Sequence, residues 1–441
     1  MRSLTEQRLF SNQRLIRLII PLVIEQALTI LVGMCDGVMV SSVGEAAISG
    51  VSLVDMINML INAIFAAVAT GGAVIASQYI GRGDHKSASL AAKQLFYASL
   101  ALSAVLGVIA VFFRKPVLNM VFGSIEADVM AHAQIYFLLS AISYPFLAVY
   151  NAGAALFRSM GNSRTTMLIS ILMNTINIVG NAILIYGFQM AAAGAATASL
   201  VSRAVGAIII TVLLLNPRRI IFYDKLHKPE IHLSMLKSIL QIGVPNGLEN
   251  SIFQIGKILV ASIVSGFGTI SITANAVAGN LASLQVIPGM ALGMAMITVV
   301  GQCIGAKDYE AVKKYTKKLM LITYGVVWAM TLLMLLFSKQ ILSFYSLSAE
   351  TTTMTMEVFI VHGICAVIVW PLAFALPNAL RAANDVRFTM IVSLLSMWIF
   401  RIGFSYILAI YFNMGILGTW IAMCIDWFCR GACFVIRFAR G

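Results

Sequence analysis

The sequence has few charged residues, and this scarcity limits the classes of protein to which it can belong. Charged residues make up 11% of the 441 residues and hydrophobic residues 60%, whereas soluble domains carry about 25% charged residues. A soluble protein of this length would need more polar surface than the chain offers. The excess of apolar surface excludes an ordinary soluble domain and indicates that lipid surrounds most of the chain.

Cysteine is also scarce, and familiar catalytic motifs are missing. The six cysteines fall inside apolar runs with neither disulfide-framework nor zinc spacing, so we interpret them as small buried apolar residues. The sequence contains no GxxxxGK[ST] loop, no HExxH motif and no nucleophile elbow. We therefore expect no enzymatic activity and no cofactor. The basic N-terminal stretch lacks a small-residue cleavage site, so we expect no removable signal peptide.

Long apolar runs take up nearly the whole chain. A helix needs about 20 mostly apolar residues to cross a hydrocarbon core about 30 Å thick, and twelve runs meet that need. The sequence predicts an all-α polytopic membrane protein with twelve transmembrane helices. The runs lie near 15–42, 50–77, 88–113, 131–156, 165–187, 191–215, 235–265, 273–303, 318–337, 354–379, 388–412 and 415–438.

The positions of Lys and Arg predict the orientation of these helices. The net charge is +13, but the basic residues sit in the gaps between apolar runs, which disfavours a nucleic-acid-binding face. With a cytoplasmic N-terminus, the inside gaps and adjoining helix ends hold 24 of the 30 basic residues. This bias predicts that both termini are cytoplasmic.

The chain repeats itself at a shift of 224 residues. Gln78 then meets Gln302, Asp84 meets Asp308, and the loops QYIGRGD and QCIGAKD align. Each half holds six helices, an even number, so both halves begin on the same side of the membrane. Parallel repeats of this kind are typical of secondary transporters, which handle substrate between the halves.

The same repeat predicts how the chain divides. We expect an N-lobe of helices 1–6 over 1–215 and a C-lobe of helices 7–12 over 235–441. The polar and basic segment 216–234 is predicted to be the cytoplasmic linker between them.

Several motifs resemble those of the MATE family of multidrug and toxic compound extrusion transporters, bacterial type. They are VMVSSVGEAAISGVSLV, ASQYIGRGD, ALFRSMGNSR, GAATASLVSR and VVGQCIGAKD, and the resemblance extends over nearly the whole chain. It implies a secondary active antiporter with a cleft between two lobes. Such a transporter exports amphipathic organic cations in exchange for H⁺ or Na⁺ by alternating access.

Ionisable residues within the apolar runs are candidates for function, because burying charge in a bilayer is costly. Asp36 lies about 21 residues into the first predicted helix, and the family resembles this chain in carrying a cation-coupling Asp there. The alternative is a solvated residue near the outer mouth. Asp55, early in the second helix, is either a second acid facing the same interior or an exposed residue.

The fifth predicted helix carries Asn174, Asn177 and Asn181 on one face. Their side chains can coordinate Na⁺ through oxygen or relay hydrogen bonds to a protonated carboxylate. Some family members resemble this face but have Asp at the position of Asn181. Thr197 matches a hydroxyl that completes the cation site in those members. Alternatively, these residues form ordinary hydrogen bonds between helices.

A second group of residues, polar side chains and methionines, predicts a possible substrate cleft. Glu25 and Glu249 are related by the repeat, and each follows a proline by four residues. Lys257, two turns after Glu249, is an alternative partner that would neutralise it. Met side chains adapt to varied apolar molecules. The predicted cleft residues are Glu25, Glu249, Gln254, Met290 and Met294.

Four further charged residues are interpreted as structural. Asp426 and Arg430 stand four apart on one helix and are expected to form an ion pair. Arg203 and Arg401 need partners that the sequence does not name. If the arginines line the cleft instead, the substrates would be anionic.

Together these features predict a multidrug efflux antiporter in a bacterial plasma membrane. Its partners would be small organic substrates and the bilayer, with no nucleic acid, and it would act as a monomer. The alternative is a flippase for lipid-linked precursors from the same wider superfamily.

Overall fold

A computed structural model describes residues 10–123, 126–224, 226, 228, 230–343, 345 and 347–440. Twelve helices in this part of the chain are long and apolar enough to cross a membrane, and no strand occurs in it. The predicted tail before residue 10 and parts of the linker (225, 227 and 229) lie outside the described residues. The helices are α1 Asn12–Ser41, α2 Glu45–Gly81, α3 His85–Phe112, α4 Ala127–Ser159, α5 Ser163–Gly187, α6 Ala191–Leu214, α7 Leu233–Ser265, α8 Thr269–Gly305, α9 Tyr309–Leu336, α10 Ala349–Ile368, α11 Val386–Tyr411 and α12 Gly415–Arg440.

These bounds confirm all twelve predicted spans. The largest difference is at α10, which ends at Ile368, eleven residues before the predicted end, and is followed by a π-helix, Pro371–Ala375, and a short helix, Leu376–Ala382. The next largest is at α9, which begins at Tyr309, nine residues before the predicted start. Asp308 caps this end by accepting a hydrogen bond from the Ala311 amide at 2.9 Å, so the helix includes a polar, lysine-rich first part. Two short helices, Arg114–Phe122 and Ser338–Ser343, were not predicted from the apolar pattern.

The chain forms two compact units, residues 1–247 and 248–441. In the first unit, α2 packs along α4, and their contact holds the buried side chains of Phe65, Phe137 and Tyr144. In the second unit, the core gathers α8, α9, α10 and α12 around residues such as Val327 and Trp420. The predicted division at 216–234 stays a prediction.

Small residues let helices approach closely within the first unit. A Cβ atom on Gly50 of α2 would lie 2.8 Å from the Val129 carbonyl oxygen and 2.9 Å from the Ala133 amide nitrogen of α4. Membrane helices use such positions because van der Waals packing replaces the hydrophobic driving force in lipid. Many large apolar side chains on the outer surface are exposed, for example Leu321 at 74%, as a lipid-facing surface requires.

All six cysteines are free thiols. Cys303 and Cys365 are buried, as predicted, but Cys433 is exposed, so the interpretation of every cysteine as buried is wrong at this position. Cys433 lies on α12, and in a membrane helix an exposed face contacts lipid, where a small apolar side chain is equally suitable.

Candidate cation site and related polar clusters

Asp36 of α1 contacts α5 through a short hydrogen bond. Asn181 Nδ2 donates to Asp36 Oδ1 at 2.6 Å. Asp36 is partly exposed, whereas Asn181 is fully buried, and its own carbonyl oxygen Oδ1 has no hydrogen-bond partner. A partly exposed carboxylate therefore stands beside an amide whose second polar atom is buried and unpaired.

The polar contacts continue along α5 toward α6. Asn181 Nδ2 also reaches Asn177 Oδ1 at 3.4 Å, and Asn177 Nδ2 donates to Ser199 Oγ of α6 at 2.9 Å. Asn174, one turn before Asn177, has a buried amide nitrogen without a partner. The predicted face of three Asn residues thus exists, and two of its members link Asp36 to α6.

Asp55 of α2 forms a second carboxylate cluster in the same unit. Its Oδ1 accepts hydrogen bonds from Tyr136 OH at 3.0 Å and from Asn58 Nδ2 at 3.3 Å. Tyr144 OH donates to Asn58 Oδ1 at 2.9 Å, which fixes the Asn58 amide. Asp55 is partly buried and hydrogen-bonded, so it is not the fully exposed residue of the alternative interpretation.

Arg203 of α6 is a positively charged residue close to these acids. It donates through Nη1 to Ser143 Oγ of α4 at 2.6 Å, and it lies close enough to Asp36 and Asp55 to interact electrostatically with both. When both carboxylates are ionised, they and the one guanidinium give this region a net negative charge. A cation entering it would restore neutrality.

The backbone next to Asn181 departs from regular α-helix. The last part of α5, Ala182–Gly187, is a π-helix that begins directly after Asn181. Such π segments are rare and often occur at functional sites, where they reposition side chains. Asn181 therefore lies at the junction between regular α-helix and the π-helix.

The sequence reasoning missed several members of these clusters. Ser199, which was not predicted, contacts Asn177. Thr197, which was predicted to complete the site, donates to the Ala193 carbonyl of its own helix at 2.7 Å, and its part in a cation site stays a prediction. Asn58 was detectable, because it stands one turn after Asp55 on the same helix face. Tyr136 carries no sequence signal, since its partner lies 81 residues away.

The two repeat-related glutamates are both buried and ion-paired. Arg158 Nη1 stands 3.2 Å from Glu25 Oε1, and Thr166 Oγ1 donates to Glu25 Oε2 at 2.8 Å. In the second unit, Arg381 Nη2 stands 2.8 Å from Glu249 Oε1. Glu249 therefore pairs with Arg381, so the alternative in which Lys257 neutralises it is wrong.

The remaining predicted cleft residues differ in exposure. Met290 is 47% exposed, whereas Gln254 and Met294 are partly buried. Their role in a substrate cleft, like that of the two glutamates, stays a prediction.

The polar atoms suit an alkali cation or a proton better than a transition metal. No group of three or more His, Cys, Asp or Glu side chains that could hold a metal ion occurs in the described residues. Near Asp36 the available groups are one carboxylate and the amide oxygens of Asn177 and Asn181. Oxygen-only donors of this kind bind hard cations.

The fold and these polar clusters define a class, a polytopic helical transporter built from two related halves. The chain belongs to the MatE family, whose model matches residues 21–183 and 245–407. The second match begins and ends 224 residues after the first, which is the shift found in the sequence. Members of this family are transporters and not enzymes, as predicted.

Relatives and solved structures agree with this assignment. The chain is 26% identical over 417 residues to “Uncharacterized transporter YisQ” of Bacillus subtilis (strain 168), covering 93% of this chain and 90% of that protein. It is 30% identical over 377 residues to “Probable multidrug resistance protein NorM” of Bacillus anthracis, covering 82% and 80%. The fold matches “Crystal structure of MATE in the bent conformation” with a TM-score of 0.89 and 21% identity, covering 97% of this chain and 95% of that one.

Proposed function

We propose that this chain is a multidrug efflux antiporter that exchanges amphipathic organic compounds, organic cations among them, for H⁺ or Na⁺ taken up at Asp36. The observation that supports this proposal is the contact between the partly exposed Asp36 carboxylate and the buried Asn181 amide. The names of its relatives, several of which are multidrug resistance proteins, support the substrate class.

The contact is suited to sensing a cation. An ionised Asp36 is a strong acceptor for the Asn181 amide N–H, and charge-assisted hydrogen bonds are stronger than neutral ones. A proton on Asp36 would weaken this bond. Na⁺ would favour rotation of the amide so that its unpaired Oδ1 faces the ion. Either event alters how α1 is held against α5.

A changed contact between helices can drive alternating access. A ligand shifts a conformational equilibrium only by its differential affinity for the two states. In this proposal the cation binds more tightly to the state that releases substrate outside, and loss of the cation inside restores the other state. We propose a multi-pass monomer in the bacterial plasma membrane with both termini cytoplasmic.

The test is efflux of ethidium from proteoliposomes under a Na⁺ gradient alone and then under a pH gradient alone. Asp36→Asn keeps the size of the side chain but cannot bind a proton or neutralise Na⁺. We expect it to abolish gradient-driven efflux while the protein stays folded. Asp128→Asn, which changes an exposed acid at the start of α4, is the matched control and should transport normally.

Efflux by Asp36→Asn at the parent rate under both gradients would refute coupling at this residue. If the parent protein instead translocates a fluorescent lipid-linked precursor and not ethidium, the flippase function is correct. No residue described above favours that alternative.

A further inference from the structure

The first turns of α9 in the second unit carry exposed lysines. Residues 309–318 contain four lysines and one acid, Glu310, which gives this segment a net charge of three positive units. Three of the lysines, Lys313, Lys314 and Lys317, are exposed, and we call them the α9 lysine cluster. A surface with such an excess of positive charge attracts anionic partners.

The α9 lysine cluster continues the lipid-facing side of its helix. Leu321, Trp328 and Leu332 are 74%, 59% and 61% exposed, and their spacing of seven and four residues puts them on one side of α9. Lys314 and Lys317 precede Leu321 by seven and four residues, so they lie on that same side. The lysines therefore stand where the lipid-facing surface meets the membrane boundary, at the depth of phospholipid headgroups.

The repeat-related face of α3 in the first unit is covered by protein. At a shift of 224 residues, three positions of α9 correspond to three of α3, namely Lys313 to Ser89, Lys317 to Lys93 and Leu321 to Tyr97. The segment that joins α6 to α7 lies over this part of α3. Its Phe222 amide donates to Ser89 Oγ at 3.3 Å.

Oxygen atoms of that segment satisfy the donors of α3. Lys93 Nζ stands 3.9 Å from Glu230 Oε2, and Lys93 is only 6% exposed. Tyr97 OH donates to the Leu226 carbonyl oxygen at 2.9 Å. Gln94 Nε2 donates to the Glu230 carbonyl oxygen at 2.7 Å. A carboxylate and backbone oxygens thus cover the α3 face and bury its lysine.

The α9 face has more positive charge than the α3 face, and it is exposed. Lys317 is exposed at the position where Lys93 is buried. A phospholipid phosphate supplies what covers α3, a negative charge with oxygen acceptors, and it lies at the depth of the cluster. Continuity with the lipid-facing side favours a lipid over an acidic protein segment, because the acyl chains of the same molecule can pack along Leu321.

We propose that the α9 lysine cluster binds the headgroup phosphate of an anionic phospholipid, whose acyl chains lie along Leu321 and Trp328. This lipid site belongs to the second unit alone, since protein covers the related face of the first unit. The proposal goes beyond the transport function and does not depend on cation binding at Asp36.

Tryptophan fluorescence can report a lipid at this position. Trp328 lies eleven residues after Lys317, roughly 16 Å along the helix, which is the depth of the acyl chains. The chain has five tryptophans, and three of them, Trp370, Trp420 and Trp427, are at most 7% exposed. Trp398 is 51% exposed, so Trp398→Phe leaves Trp328 as the lipid-accessible tryptophan.

The test uses the full-length Trp398→Phe protein in vesicles of equal parts phosphatidylglycerol and phosphatidylcholine. Dibrominated acyl chains, which quench tryptophan on contact, are placed on the phosphatidylglycerol in one preparation and on the phosphatidylcholine in the other. We expect the brominated phosphatidylglycerol to quench Trp328 more strongly, with a binding preference of about fivefold. High salt should reduce this preference.

Variants then locate the headgroup contact. Lys317→Gln should lower the preference for phosphatidylglycerol about twofold. The triple variant Lys313→Gln, Lys314→Gln and Lys317→Gln should bring the two lipids close to equal quenching. Because Lys317→Gln removes a single exposed charge, it keeps the test decisive even if the triple variant fails to insert.

The matched control removes the same amount of charge elsewhere. Arg82→Gln, Lys86→Gln and Lys237→Gln together delete three exposed positive charges at other helix ends on the predicted inner side. This variant should keep the preference of the parent. Asp36→Asn should keep it as well, so a failure of cation coupling is distinguishable from a failure of the lipid site.

Equal quenching by the two brominated lipids in the parent would overturn the proposal and leave the α9 lysine cluster for an acidic protein segment. A preference that persists in the triple variant would overturn it too. If inorganic phosphate removes the preference and sodium chloride of equal ionic strength does not, the cluster binds free phosphate and the lipid proposal is wrong.

Discussion

At the scale of single residues, Asn181 is the hydrogen-bond partner of Asp36, the proposed cation-binding residue. Asn181 is buried, and it occupies the position at which some members of the MATE family have Asp. With Asn there, α5 contributes hydrogen bonds but no charge. Two facing carboxylates would attract a cation more strongly than one, because like charges at close range cannot both remain ionised without compensation.

Asn181→Asp is therefore expected to increase the affinity of the site for Na⁺. Ligands that bind the folded state raise the melting temperature, so the parent and the variant can be compared by thermal unfolding in NaCl and in KCl. We expect a larger Na⁺-specific rise in the variant. Asn181→Ala, which removes the hydrogen bonds without adding charge, serves as the control. An identical response of all three proteins to the two salts would contradict this interpretation of the site.

At the scale of elements, the repeated loops QYIGRGD and QCIGAKD act as paired helix junctions. Gly83 and Lys307 occupy equivalent positions with φ of 75° and 58°, in the left-handed region that ends helices. The next residue caps the following helix: Asp84 Oδ1 accepts from the Ser87 amide at 3.0 Å, and Asp308 repeats this contact at 2.9 Å. The sequence repeat therefore corresponds to a repeated helix junction, a left-handed residue followed by an Asp N-cap.

Removing either cap should destabilise its helix. Asp84→Ala and Asp308→Ala are each expected to lower the free energy of unfolding by about 1 kcal/mol, measured as a lower melting temperature in detergent. Asp84→Asn should keep most of the stability, because Asn is an equally good cap. Melting temperatures for the Ala variants equal to those of the parent would show that neither cap matters.

The cap at Asp84 also has a pH dependence. Hydrogen bonds from Ser87 hold the pKa of the Asp84 carboxyl below its usual range. The stabilisation that this cap gives is therefore present above the pKa of Asp in the unfolded chain, about 4. It is lost as the pH falls through the lower pKa of the folded state. Asp84→Asn should lack this loss on acidification.

At the scale of the whole molecule, the distribution of the basic residues predicts which side of the membrane each junction faces. Lys86 and Lys313 lie exposed at junctions on the predicted inner side, and Lys115 and Lys339 lie exposed in the two short helices on the predicted outer side. The four positions are accessible in the folded chain, so they report topology without disturbing the core.

Single cysteines at these positions in a cysteine-free variant should label according to side. With a membrane-impermeant maleimide on intact cells, we expect modification at residues 115 and 339 and none at 86 and 313. Permeabilised cells should label all four, which controls for reactivity. The reverse pattern on intact cells would mean that both termini face outward.

Sequence reasoning is strongest where the governing physics is local, as in the helix spacing that predicts Asn174, Asn177 and Asn181 on one face. The structure joins Asn181 to Asp36 by a hydrogen bond across 145 residues, and their role in cation binding stays a prediction. Thr197 was proposed from resemblance alone, and its hydroxyl turns back to its own helix. The partners of Glu25 and Glu249 were not predicted, because each ion pair joins residues more than 130 positions apart.

The sequence by itself determined the twelve spans, their order and the 224-residue repeat, because the bilayer demands apolar length and internal hydrogen bonding from each segment separately. Only the tertiary structure decided which polar groups meet. Arg381 forms an ion pair with Glu249, and Lys257 lies beside the Phe253 ring. Arg401 and Arg430 both lie within ion-pair distance of Asp426. Those choices depend on helix rotation and on π segments that shift side chains around the axis, and such rotations follow from packing among helices distant in sequence.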